Sequence, residues 1–302
     1  MIVLAGATGF VGRNLLMYLE EKKYDILRLS LRDKNWREKE IVSAEVMVNL
    51  VGKAHDHKNE ATEKDFFNIN YELTKELFDF FIKSNASVFV HFSSIAVLEE
   101  ESSLIEINES YTPNPKSAYG MSKSKAEEYL INYELPLNKK LIIIRPTMIH
   151  GPGDKGNLTL LYKIIKKGIP YPLGAFHNER SFMGINNLCF LVEKIIENRT
   201  SINSGCYNVA DDESLSTIEI IKIIGEVLDK KIRIISFPQK IINGIASVGD
   251  KLKLPLNTKR LKKMTSNLIV SNQKLKLELK VGKLPFTAEQ ELKKTIQSFI
   301  KK

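Results

Sequence analysis

The chain opens on an apolar run, Ile2-Val3-Leu4-Ala5, that stops at Gly6. A short continuous apolar run ended by a glycine reads as a buried strand. From Phe10 to Lys22 the spacing changes, and Phe10, Leu15, Leu16 and Leu19 recur as on a helix. Asp25 to Leu31 reads as a second strand. Glu45 to Val51 reads as a third, followed by a Gly52-Lys53-Ala54-His55 turn. Tyr71 to Ser84 is helical by the placing of Leu73, Leu77, Phe80 and Phe81. Ser87 to Ser93 is a strand that ends in Ser93-Ser94. Ser117 to Tyr133 is a helix, and Leu141 to Arg145 is a strand closed by Pro146.

Strands alternating with helices predict an α/β fold, a Rossmann-type doubly wound parallel sheet. The stretch before Glu45 is short and polar, which predicts a slightly abbreviated sheet. Beyond Gly151-Pro152-Gly153 the regular alternation stops, and short elements and turns follow. Residues 1–156 read as a dinucleotide-binding domain. Residues 157–302 read as a smaller, mixed, substrate-binding lobe, with some elements returning to the main sheet. No internal repeat or low-complexity segment stands out.

Composition narrows the class. Of 302 residues 43% are hydrophobic and 27% charged, ordinary values for a soluble globular protein. Cys189 and Cys206 make no disulfide framework and fit a reducing compartment. No apolar run approaches the roughly 18 residues that span a bilayer. The N-terminus carries no secretory pattern, so the expected location is cytoplasmic. The net charge of +9 is spread along the chain without an aromatic-interleaved basic motif. That pattern reads as a lysine-rich solvated surface, not as a nucleic-acid or membrane partner, and its positive field suits an anionic small substrate.

Candidate chemistry begins at the first turn. Gly6, Gly9 and Gly12 form a G-x-x-G-x-x-G pattern between a strand and a helix. Glycine permits the tight turn and a close approach of backbone to a pyrophosphate, and the helix start offers free N–H groups. The end of the second strand bears on which dinucleotide binds. An acidic residue there takes the ribose of NAD, and an arginine accommodates the 2′-phosphate of NADP. Ser30 stands at that position and Arg32 follows two residues on, with Lys34 or Arg13 as helpers, which leans to NADP. The alternative is that Arg32 is a solvated loop residue and Asp33 takes the ribose.

Tyr119 and Lys123 lie four residues apart at a helix start and share a helix face. An ammonium beside a tyrosine favours its phenolate, so that the tyrosine can exchange a proton near neutral pH. Ser94, at the end of a parallel strand, can orient the oxygen that gains or loses that proton. Cradle, Ser94 and the Tyr119/Lys123 pair follow one another in an order compatible with one redox site.

These residues resemble the extended short-chain dehydrogenase/reductase family, in its NAD-dependent epimerase/dehydratase branch. The resemblance runs over nearly the whole chain. Gly6-Ala7-Thr8-Gly9-Phe10-Val11-Gly12 is similar to the family's cofactor motif. Val48-Asn49-Leu50-Val51-Gly52 is similar to the strand motif beside the cofactor, and Ser93-Ser94-Ile95-Ala96-Val97 to the strand with the catalytic serine. Arg145-Pro146-Thr147-Met148-Ile149-His150-Gly151-Pro152-Gly153 resembles the R-P-x-x-V-Y-G-P-G stretch of nucleotide-sugar epimerases, with His150 in place of Tyr.

The resemblance implies Ser94, Tyr119 and Lys123 as the catalytic triad. It implies Gly6, Thr8, Gly9, Phe10, Val11, Gly12, Ser30, Arg32, Leu50, Val51, Gly52, Tyr119, Lys123 and Pro146 around NAD or NADP. Lys155-Gly156-Asn157-Leu158, Pro172-Leu173-Gly174 and Arg180-Ser181-Phe182 resemble the part that holds a nucleoside diphosphate. By that resemblance Asn157 opens a helix directed at the diphosphate, Arg180 pairs with it, and Ser94 also contacts the sugar. A homodimer through Tyr71–Ser84 and Ser117–Tyr133 is implied in the same way.

The implied activity is hydride transfer at C4 of a UDP-sugar, as a UDP-hexose 4-epimerase of surface-polysaccharide biosynthesis. A 4-keto reductase using NADPH shares every catalytic residue. A non-catalytic dinucleotide-binding regulator stands outside both, and such proteins typically lack the Tyr or the Lys. His55, Asp56, His57 and His91 do not make a metal site by spacing. Cys189 reads as core, Trp36 as a polar-loop residue, and Arg260-Leu261-Lys262-Lys263 as a solvated helix face, the resemblance offering a substrate-phosphate role for Arg260 as the alternative.

Overall fold

The frame is set by short strands, of which Ile2–Ala5, Val46–Asn49 and Val88–Phe92 are buried at every residue, as expected where helices cover both faces of a parallel sheet. The computed structural model describes residues 1–39, 41, 43–54, 61–99, 102–103, 105–154, 156–252 and 257–300. In chain order the first half runs β1 (Ile2–Ala5), α1 (Phe10–Glu21), β2 (Ile26–Leu29), β3 (Val46–Asn49), α2 (Glu63–Phe67), α3 (Leu73–Lys83), β4 (Val88–Phe92), α4 (Ala118–Ile131) and β5 (Lys140–Pro146). The second half runs β6 (Met148–His150), α5 (Asn157–Lys166), β7 (Phe182–Gly184), α6 (Ile185–Glu197), β8 (Gly205–Val209), α7 (Thr217–Val227), α8 (Gln239–Leu252), α9 (Thr258–Thr265), α10 (Gln273–Glu278) and α11 (Ala288–Ile300).

The main sheet has the order β2-β1-β3-β4-β5-β8, and all its pairs are parallel. The chain leaves β1 towards β2 and then returns past β1 to β3. The sheet therefore reverses direction at the carboxyl ends of β1 and β3, where α/β sheets of this kind open a binding crevice. Ala5 of β1 and Asn49 of β3 face each other across that point.

The expected shortening between β2 and β3 is present. Among the described residues between β2 and β3 there is a 3₁₀ turn at Trp36–Glu38 and no α-helix. Trp36, in a polar stretch of sequence, is 1% exposed and packs edge-to-face on Phe80 of α3, with ring centroids 5.4 Å apart. Its large ring covers sheet surface that a crossover helix would otherwise bury.

α2 and α3 are one continuous helical run joined by a π turn at Asn68–Glu72. Its start is fixed by a capping box, Thr62 with Asp65, ahead of the Tyr71 start read from the apolar spacing. Asn70 within the π turn is fully buried.

The C-terminal half contributes β8 to the main sheet beyond β5, and β6 and β7 form a separate parallel pair. The remainder is richer in helix than its sequence texture suggests. α5, α7, α8 and α11 bury Leu158, Tyr162, Ile221, Ile224, Ile242, Leu292 and Ile296 in one core. Cys189 lies in the core on α6, and burial pushes its thiol up to about 12.

Candidate active site

The cradle is built by steric exclusion. Gly6 takes a left-handed backbone with φ +87°, and a Cβ there would stand 2.8 Å from the Leu50 carbonyl carbon. A Cβ on Gly12 would collide with the Gly6 carbonyl oxygen and stand 2.8 Å from the Ala7 Cα. Both glycines thus let the β1 turn, α1 and the Leu50-Val51 loop pack backbone to backbone. Gly9 caps α1 without a side-chain hydrogen bond, and the first turn holds no acidic residue. Its N–H groups and positive dipole end stay available to an anion, which fits a dinucleotide pyrophosphate. Thr8 and Gly9 are exposed at the rim, and Arg13 closes it by donating to the Thr8 carbonyl at 3.0 Å. Asn14 donates to the Pro152 carbonyl at 3.4 Å, tying the Gly151–Gly153 turn to the same helix.

At the end of β2, Ser30 and Arg32 are both exposed. Asp33 is already engaged: its carboxylate pairs with Lys39 at 3.1 Å and accepts from the Asn35 N–H, which hold its pKa below the usual carboxylate range. Arg32 has no protein partner among the described residues.

The triad candidates converge where β4 meets α4. Ser94 caps the 3₁₀ turn Ile95–Val97, accepts from the Ala96 N–H at 3.2 Å and is half-buried. Tyr119 and Lys123 lie in the first turns of α4, which starts after the cap residue Ser117. Tyr119 is half-buried. Lys123 is 3% exposed, and its Nζ donates to the Phe92 carbonyl at 2.7 Å. Burial pushes its ammonium down to about 8, against a smaller upward pull from Glu127.

A buried lysine needs surroundings that tolerate charge, and here they include Asn70, Thr74 and Ser122, which carry no motif in the sequence. A Cβ on Gly52 would lie 3.2 Å from Lys123 Nζ and 3.3 Å from Asn70 Oδ1, so the end of β3, the π turn and α4 meet at one point. The Lys53 N–H donates to Asn70 Oδ1 at 2.7 Å, and Asn70 Nδ2 donates to the Lys53 carbonyl and to Ser122 Oγ at 2.9 Å. Asn49 accepts from the Val51 N–H at 3.0 Å and donates to Thr74. Its Nδ2 also lies 3.2 Å from His91 Nδ1. Burial and the nearby Lys123 charge hold His91 well below the usual histidine range, so it is neutral. The one sequence signal for Asn70 is its phase, since it precedes the buried positions Thr74, Leu77 and Phe81 at helical spacing.

Pro146 ends β5 and is buried. Arg145 beside it forms a buried bidentate pair with Glu127 of α4, at 2.9 and 3.1 Å from Nε, which locks the helix that carries Tyr119 and Lys123 to the sheet. His150 is also structural: burial pushes it down to about 4, and its Nδ1 lies 2.9 Å from Thr295 Oγ1.

The two substrate-phosphate candidates lie on the second half of the chain. Asn157 is the first residue of α5, whose cap is Gly156. Arg180 donates to the Ser266 carbonyl and hydroxyl at 3.2 and 3.0 Å, and burial lowers its pKa. No His, Cys, Asp and Glu group among the described residues is arranged to hold a metal. His55, Asp56 and His57 lie outside the described residues.

A parallel sheet with a glycine turn at its reversal point is the frame of a dinucleotide-binding fold. The chain belongs to the NAD dependent epimerase/dehydratase family, whose model matches residues 2–210. It is 32% identical over 251 residues to a UDP-glucose 4-epimerase of Vibrio cholerae, covering 76% of each chain. It is 25% identical over 321 residues to the N-acetyl-alpha-D-glucosaminyl-diphospho-ditrans,octacis-undecaprenol 4-epimerase of Escherichia coli O157:H7, covering 98% of this chain and 94% of the relative. Among solved structures, RMD from Pseudomonas aeruginosa complexed with NADPH superposes with a TM-score of 0.75 at 17% identity, over 100% of this chain and 99% of that one. Chains of this family bind NAD or NADP.

Proposed function

We propose that the chain is a UDP-hexose 4-epimerase. The buried Lys123 ammonium, fixed to the Phe92 carbonyl one helical turn beyond Tyr119, supports the proton chemistry that an epimerase and a 4-keto reductase share, and the 32% identity to a UDP-glucose 4-epimerase supports the epimerase. A nicotinamide dinucleotide held by Gly6, Gly9, Gly12 and the Leu50–Gly52 loop supplies the hydride acceptor for C4 of the sugar. The protein supplies the proton chemistry. Tyr119 takes the proton of the 4-hydroxyl as the C4–H bond breaks and the carbonyl forms, and returns it when the bond reforms on the other face. Lys123 favours the Tyr119 phenolate through its charge. Ser94 orients the same oxygen. Asn157 and Arg180 hold the nucleoside diphosphate, the first by a helix N-terminus and the second by its guanidinium.

One observation favours the NADPH-dependent 4-keto reductase as a second reading. No acid ends β2, Asp33 is committed to Lys39, and exposed Arg32 is free to meet a 2′-phosphate. The name of the undecaprenol-linked relative is in keeping with surface-polysaccharide biosynthesis for either reaction. For the assembly, Tyr71, Tyr129 and Tyr133 with Lys125, Glu128 and Asn132 line a groove of about 280 Å³ on the outer face of α4, and this face is the proposed contact in a homodimer.

The test is to identify the nucleotide that co-purifies and to incubate the protein with UDP-glucose without added cofactor. Interconversion of the C4 epimers on retained NAD supports the epimerase. Turnover only of a 4-keto sugar with added NADPH supports the reductase. Absence of both overturns the assignment.

A further inference from the structure

Arg180 stands in the middle of a ribbon of irregular chain. Its backbone N–H and carbonyl pair with Leu215 on one side, at 3.0 and 2.9 Å. On the other side runs the segment Ser266–Ser271, parallel to it and just beyond α9. The Leu268 N–H donates to the Glu179 carbonyl, and the Ser181 N–H donates to the Leu268 carbonyl, both at 2.9 Å. Side chains close the same seam. Asn267 Oδ1 accepts from the Glu179 N–H at 2.9 Å, and Ser181 Oγ accepts from the Val270 N–H at 3.0 Å.

The far edge of that segment reaches the triad candidates. The Ser103 N–H donates to the Asn267 carbonyl at 3.0 Å. The Ile107 N–H donates to the Ile269 carbonyl and the Ser271 N–H to the Ile107 carbonyl, each at 2.9 Å. Ser103 and Ile107 belong to the connection between Ser94 and Tyr119. Ile107, Leu268 and Val270 also share a small buried core with Ile95 and Val97, which closely follow Ser94. One segment therefore fixes the backbone of Arg180 relative to the turn that carries Ser94.

The same segment holds the half-buried guanidinium. Arg180 Nη1 donates to the Ser266 carbonyl at 3.2 Å and to Ser266 Oγ at 3.0 Å. Ser266 is itself tied to the end of α9, where its N–H donates to the Lys262 carbonyl at 3.0 Å. A guanidinium is a planar fork, so its orientation decides whether it meets a phosphate squarely. Two acceptors on one residue fix that orientation before a ligand arrives, and a side chain already ordered loses less entropy on binding.

We propose that Ser266 is a positioning residue, which presets the Arg180 guanidinium for the substrate diphosphate. The inference rests on the proposed contact of Arg180 with that diphosphate, and it holds for the epimerase and the reductase alike.

Calorimetric titration of the full chain with UDP, beside turnover of UDP-glucose, tests it. Ser266→Ala is expected to raise the Kd of UDP and the KM of UDP-glucose together, by roughly two- to tenfold. The thermal midpoint and the pH midpoint of the alkaline decline stay unchanged. Ser266→Thr keeps the hydroxyl and is expected to restore both constants. A Ser266→Ala protein that loses thermal stability but binds UDP like wild type has lost a structural contact only, and overturns the proposal. Equal losses in the Ala and Thr variants overturn it as well. Arg180→Ala is expected to weaken UDP by roughly tenfold or more. In that background Ser266→Ala is expected to cost nothing further, because the two residues act as one. A full additional loss overturns the proposal. Arg180→Ala that leaves UDP binding unchanged removes the diphosphate contact and the positioning role with it. The expected pattern in a protein that binds UDP but turns over no UDP-sugar supports the positioning role and refutes only the reaction.

Discussion

Lys123 Nζ donates to the Phe92 carbonyl at 2.7 Å, and this bond joins the second turn of α4 to the last residue of β4. Tyr119 precedes Lys123 by one turn of α4, and Ser94 follows Phe92 by two residues on the strand side. One hydrogen bond therefore connects the elements that carry all three triad candidates. Tyr119→Phe removes the exchangeable proton and leaves these anchors in place. Turnover is expected to fall by roughly 10²–10⁴-fold, with the amount of co-purifying dinucleotide unchanged. Near-normal turnover removes Tyr119 from the chemistry.

The burial of Lys123 sets a pH dependence. The ammonium is the form that favours the Tyr119 phenolate, and burial lowers its pKa from 10.5 to about 8. Raising the pH through about 8 discharges it, so kcat/KM for the UDP-sugar is expected to decline on the alkaline side with a midpoint near 8. A profile that stays flat up to the ordinary lysine range contradicts this role.

The cradle separates two glycines that look alike in sequence. Gly12 faces backbone atoms that cannot move aside, so Gly12→Ala is expected to destabilise the fold by about 1–3 kcal/mol and to abolish dinucleotide retention. Gly9 has φ −71° and its Cβ would stand 3.4 Å from the Gly6 carbonyl oxygen, so Gly9→Ala leaves the thermal midpoint nearly unchanged. Thermal unfolding with and without added dinucleotide distinguishes them, and equal losses contradict the packing argument.

Much of this site is legible in the sequence because it depends on local patterns. A strand ending in glycine, a serine at a strand end and a tyrosine one turn before a lysine are each set by neighbours in the chain. Trp36 and Asn70 are not legible in that way. Trp36 sits among polar residues, and only its packing on Phe80, far along the chain, puts it in the core. Asn70 keeps the helical phase of Thr74, Leu77 and Phe81, but its partners, the Lys53 backbone and Ser122, lie elsewhere in the chain and leave no local pattern. In the C-terminal lobe, α8 presents apolar residues on two adjoining arcs, a pattern that blurs the single stripe by which an amphipathic helix is recognised.

Arg32 decides between the dinucleotides if Asp33 remains bound to Lys39. A charge-assisted hydrogen bond contributes roughly 1.5–3 kcal/mol. Arg32→Ala is therefore expected to weaken NADP by about ten- to a hundredfold and to leave NAD nearly unchanged. Titration of both nucleotides checks this, and equal weakening assigns Arg32 to the solvated loop.

Glu127 is expected to couple the stability of α4 to the proton chemistry proposed for Tyr119 and Lys123. Its carboxylate holds Arg145 through Nε and Nη2, with both side chains almost fully buried. Glu127→Gln leaves an uncompensated guanidinium in the interior, a change of about 3–5 kcal/mol in stability. The same carboxylate raises the pKa of Lys123. Its removal therefore lowers that pKa further and moves the alkaline decline of kcat/KM to lower pH. Both effects are measurable on one variant, by denaturant unfolding and by a pH profile at a temperature where it is folded. A large stability loss with an unmoved profile separates the anchoring of α4 from the electrostatics of Lys123 and restricts Glu127 to the first.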